Sequence, residues 1–207
     1  TKKDVKNQVF KLLTPFFKEL GFKAYKGKDE FLKETDFGFH QVLFMLSDYE
    51  PEFRINFTLG IRLDEVENIA TKFLQMTEEG KLKTCTSMVN FGDLKGENGL
   101  EYKVFSEQDV EQSIELFKKF IRQEGLNYFD QYNDISKLDE AINADPNKPT
   151  IHKGPEFIRP IYSLTLARLN QNPDYENLVE AYKENFEGVI PRYLEQYNKL
   201  VEHLKTV

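Results

Sequence analysis

The sequence predicts an α+β protein, a mostly antiparallel sheet of about five strands packed on helices and followed by an all-helical C-terminal part. Two observations predict it. Residues 53–63 alternate apolar and polar side chains without a miss, and every strand-type pattern lies before Ser106, after which only helical spacing occurs. Runs of strands followed by runs of helices favour α+β over a doubly wound sheet. The expected division is a sheet-containing domain over 1–125 and a helical region over 126–207.

Taken in order, Asp4 can cap a helix whose apolar positions Val5, Val9, Leu12, Leu13, Phe16, Phe17 and Leu20 recur at three- and four-residue spacing up to Gly21. The period then changes. Lys26-Gly27-Lys28-Asp29 makes a turn between short strands at 22–25 and 30–34. The run 39–46 is apolar on both faces, as expected of a central strand. In 53–63 the odd positions Phe53 to Leu63 share one face, with Arg54, Asn56, Thr58 and Arg62 on the other. Asp64 can cap a helix over 64–77, and strands at 82–91 and 100–105 flank a glycine-rich loop that suits a hairpin. Helices are then expected at 108–124 (ending at Gly125), 126–132, 135–144, 160–170, 175–186 and 191–204, with Pro160 and Pro191 in first-turn positions. The proline-rich stretch 145–157 reads as a linker or functional loop.

The 207 residues carry 28 basic and 35 acidic side chains, a net charge of −7. That balance works against nucleic acid and against an anionic bilayer, and makes a basic protein the electrostatically favoured partner. The lysines cluster between Lys2 and Lys33. Their reading as a nucleic-acid patch competes with the plainer one of an edge hairpin guarded by lysine, which is preferred. Cys85 is the only cysteine, so no internal disulfide forms, and a reducing, cytoplasmic setting is expected. No run approaches the roughly 20 apolar residues of a membrane helix.

No catalytic group and no cofactor is assigned. His40, His152 and His203 lack the spacing of a metal motif, and no glycine-rich phosphate loop is present. Cys85 reads as a packing residue, since a nucleophile would need His40 or His152 brought to it. The candidate ligand-binding residues are Arg54, Asn56, Gln41, His40 and Arg62, on or beside the polar face of the central strands. An ordinary solvated sheet face is the competing reading. Arg54 and Arg62 stand about 26 Å apart at ~3.3 Å per residue, so one compact anion cannot engage both, and each is expected to be partly exposed.

The segment Phe16-Phe17-Lys18-Glu19-Leu20-Gly21-Phe22-Lys23, followed by Gln41 and then Asn56 with Gly60 four residues on, resembles a bacterial domain family of unknown function. That family opens with a helix running into such a turn. The resemblance covers roughly the first half of the chain and brings no catalytic residue. It implies an immunity-like role, since some members sit beside toxin genes. The favoured function is therefore non-catalytic binding of a protein, with a small-ligand-binding protein or enzyme using the polar strand face as the alternative.

Overall fold

The structure, a computed structural model, describes residues 1–154, 156–184 and 191–207. It is α+β, as the sequence predicts. The sheet is six-stranded, in the order β1 (Lys23–Tyr25), β2 (Glu30–Thr35), β3 (Gly38–Tyr49), β4 (Glu52–Leu63) and β5 (Ser87–Asn90), with β6 (Tyr102–Val104) also on β4. Antiparallel registers pair Phe31 with Val42 and Arg54 with Lys103. β5 also opposes β4, because Asn90 bonds Asn56 while Thr86 meets Leu63. The helices are α1 (Lys2–Glu19), α2 (Asp64–Ala70), α3 (Glu78–Lys81), α4 (Phe91–Leu94), α5 (Glu107–Phe120), α6 (Leu126–Gln131), α7 (Ile135–Ile142), α8 (Arg159–Leu169), α9 (Tyr175–Glu184) and α10 (Pro191–Leu204).

The chain forms two compact units, one of residues 1–60 with 89–130 and the other of 61–88 with 131–207. Each is therefore assembled from separate stretches of sequence, where the sequence had suggested a division near residue 125.

In the first unit α1 and α5 lie on the sheet face that carries Phe31, Phe44 and Phe57. Alternation puts these apolar groups on one side, and their burial removes the area that drives the packing. Phe57 and Phe117 stack at 3.5 Å between ring centroids, and Phe17 stacks on Phe31 at 4.5 Å. The second unit is organised about α8, whose residues from Arg159 to Ala167 are all buried. A helix without a polar stripe has no face to offer water, so it takes the centre. Asp139 of α7, 1% exposed, ties that helix to the end of α8 by accepting bonds from Asn143, Asn170 and Asn172.

Several local expectations are corrected. Thr1 caps α1, with Asp4 as the third residue of a capping box. Gly21 does end α1, in the left-handed region at φ +86°, and Phe22 N–H reaches back to the Phe17 carbonyl at 2.8 Å. Asp64 caps nothing. It is the first residue of α2 and accepts from Arg62 instead. That helix stops at Ala70 and tightens into a 3-10 turn at Thr71–Phe73, where the Thr71 hydroxyl bonds the Glu67 carbonyl. The strand expected over 82–91 shrinks to β5, and β5 and β6 are not a hairpin: each pairs with β4, and α4 lies between them.

Gly125 does not end a helix. The chain passes through a π turn at Ile121–Gly125 into α6, and a Cβ at Gly125 would stand 2.9 Å from Ile121 Cδ1 and 3.3 Å from Leu59. Glycine is there for close approach to the sheet. The stretch 145–157 is not a loose linker either. Arg159 donates to the carbonyls of Ile142 and Asp145, and His152 and Lys153 are buried. Pro155 and the expected last turn of the helix over 175–186 lie outside the described residues. No described helix is long and apolar enough to cross a membrane.

Candidate functional site

Ring contact between Phe44 and Phe57 places even residues of β3 and odd residues of β4 on the packed face of the first unit's sheet. By alternation Gln41, Met45 and Tyr49 share the other face with Arg54, Asn56 and Thr58. The candidate residues on this face occupy separate settings. Arg54 donates from Nε to Glu52 at 2.6 Å, has Glu101 at 3.5 Å, and stacks 4.2 Å from the centre of the Tyr49 ring. Asn56 accepts from Asn90 at 2.7 Å, and Gln41 donates to Glu30 at 2.6 Å.

His40 belongs to the packed face, stacked on Phe129 at 4.5 Å. Burial, with Lys33 nearby, lowers its pKa to about 4, and burial lowers that of His152 to about 4 as well. The unfolded chain, with histidines near 6.5, takes up protons first as pH falls. Stability is whole above pH 6.5 and is lost between 6.5 and 4. Urea midpoints measured across that window should fall, and His40→Phe, which keeps the stacking, should remove about half of the fall.

Arg62 is not the partly exposed cation expected. At 6% exposure it lies in the second unit, donating to Asp64 and to the carbonyls of Lys81 and Thr84. It borders the most unusual electrostatic feature of that unit. Glu67 is fully buried and accepts from Thr84 Oγ1 at 2.6 Å, Thr86 Oγ1 at 3.0 Å and Tyr162 OH at 3.2 Å, with Arg62 at 3.9 Å. Across the Tyr162 ring sits Lys153, its Nζ 3.3 Å from the ring centre and donating to the Cys85 carbonyl at 2.6 Å. Burial pulls Lys153 down to about 8. It pushes the Tyr162 phenol far above its ordinary range, and the Glu67 carboxylate adds to this. A buried cation and a buried anion thus share one aromatic ring, the cation on its face and the anion on its hydroxyl.

Neither Glu67 nor Lys153 is a sequence-based candidate. Glu67 had a signal: it sits with Leu63, Val66 and Ala70 on the apolar stripe of α2, where an acid must find donors. Lys153 had none, being one lysine in a proline-rich loop. Among the described residues, no three His, Cys, Asp or Glu side chains gather as a metal-holding group.

The outer face of the first unit's sheet is the other distinctive surface. Met45, Tyr49 and Phe105 are 59%, 54% and 64% exposed. The register between β4 and β6 sets Lys103 opposite Arg54, and Phe105 follows just past the end of β6, its N–H donating to Asp109. Glu50 is exposed at the hairpin tip, and Glu101 is half-buried. No family model, curated protein or solved structure matches the chain.

Proposed function

We propose that the protein is a non-catalytic binding module whose partner is a basic protein, in the manner of an immunity protein that neutralises a basic toxin or nuclease. The observation that carries the reading is the exposed Tyr49 stacked on Arg54 on the outer sheet face, with a second exposed aromatic, Phe105, just past the end of β6. Tyr and Arg are the residues that most often dominate binding energy. Arg54 is already held by Glu52 and Glu101 and stacked on Tyr49, so little side-chain freedom is lost when a partner arrives. Glu50 and the net charge of −7 favour a basic partner and speed its approach.

The alternative, a small anion held by Arg54, has less support, because two carboxylates already surround that guanidinium. Paired affinity captures test the main reading, one with the wild-type protein and one with Tyr49→Ala/Phe105→Ala. A basic protein is expected with the wild type alone. Against that purified protein the double variant should lose about 2 kcal/mol or more, roughly thirtyfold in Kd, and added salt should slow association. An acidic partner, or equal binding by the variant, overturns the reading.

A further inference from the structure

β3 outlasts the strand beside it. β2 pairs with β3 from Gly38 to Leu43, and the Phe44 N–H makes the last bond on that side, to the Asp29 carbonyl at 3.0 Å. In an antiparallel ladder alternate residues turn both backbone groups to the same neighbour. Phe44 therefore fixes the sense: Leu46 and Asp48 turn their N–H and C=O groups to the side that β2 has vacated. That open edge borders a trough of about 770 Å³, lined by Leu43 to Ser47 of β3, Asp29, and the lysines Lys2, Lys3, Lys6 and Lys28. The volume lies within the ~300–1,000 Å³ typical of ligand sites.

We infer that this edge takes up an extended acidic segment of a partner protein as an added strand. The backbone of Leu46 and Asp48 supplies the ladder, which gives affinity without side-chain specificity. Charge supplies the choice of strand. Four lysines face one aspartate in the lining; Lys6 pairs with Asp29 at 2.5 Å and Lys28 lies 3.7 Å from Glu30, so Lys2 and Lys3 carry the charge that meets the incoming strand. A second copy of this chain would bring two such lysine sets together, so the charges that prevent self-pairing of the edge also select an acidic strand. Alternation sharpens the pattern. α1 lies on the packed face, as the ring contact of Phe10 with Phe44 shows, so its lysines meet one side of the incoming strand while the exposed Met45 meets the other. The segment should carry acids at every second position with apolar residues between them. The inference is independent of the surface around Arg54.

The probe is a fluorescent, end-blocked peptide alternating Glu and Val, with a Lys and Val peptide as control. The acidic peptide should bind and the basic one should not. Lys2→Glu/Lys3→Glu, at exposed first-turn positions, should weaken binding about tenfold with unchanged thermal melting. Hydrogen exchange at the Leu46 amide should slow on binding. Failure of the acidic peptide to bind, equal binding of both peptides, or binding without protection of Leu46 would each overturn the inference. So would protection of Leu46 that grows with protein concentration in the absence of peptide, since a second copy would then fill the edge.

Discussion

Glu67→Ala is expected to lower the unfolding free energy by about 3–5 kcal/mol, the scale on which one partner is lost from a buried ion pair. The carboxylate receives bonds from Thr84, Thr86 and Tyr162 and lies 3.9 Å from Arg62, so alanine strands the Thr86 and Tyr162 hydroxyls where water does not reach. Thr86→Val, which removes one donor from a carboxylate that keeps others and leaves the Leu63 N–H without its acceptor, should cost less, about 1–3 kcal/mol. Urea midpoints at unchanged slope provide the comparison. A loss below about 1 kcal/mol for Glu67→Ala would mean that the cluster is hydrated and contributes little.

The second large effect belongs to Lys153. Its pKa of about 8 lies below the value of about 10.4 for an unfolded lysine, so between these limits the unfolded chain binds more protons. Stability then rises with pH: the cost of the buried charge is full below pH 8 and relieved as pH climbs through that value. Relative to Lys153→Met, the wild type should gain about 2–3 kcal/mol between pH 7.5 and 10. Above pH 10 the buried phenols, raised in the fold, act in the opposite direction, which sets the upper limit of the window. Parallel pH profiles for the two proteins would show that Lys153 stays hydrated and ordinary.

These two residues mark the limit of what the sequence discloses. β4 is legible because strict alternation has a single geometric solution, and α10 because Pro191 and its helical spacing agree on its start. The unbroken helix through Gly125 was not legible, since a glycine that ends a helix and one that admits a neighbouring side chain look alike until Leu59 is seen against it. The glycine-rich loop between them suits β5 and β6 as partners in a hairpin, yet the long β4 offers each a separate stretch of edge. At the candidate site, alternation did place Gln41, Arg54 and Asn56 on one face. It could not say that Arg62, on the same strand, would be enclosed, because enclosure depends on Thr84 and Lys81, about 20 residues later.

The interleaving of the two units has a consequence for how the chain is made. Residues 1–60 leave the ribosome without α5, the helix that covers their sheet face, and residues 61–88 leave it without α8, the centre of their own unit. Domains ordinarily close one after another during synthesis, as each finishes. Here the first unit can close only once Asp130 has emerged, and the stretch carrying Glu67 waits longer still, for Lys153 and Tyr162. Through that interval a carboxylate destined for the interior stays in water, where its charge costs nothing. It is buried only when its partners arrive, so the order of synthesis spares the nascent chain an uncompensated internal charge.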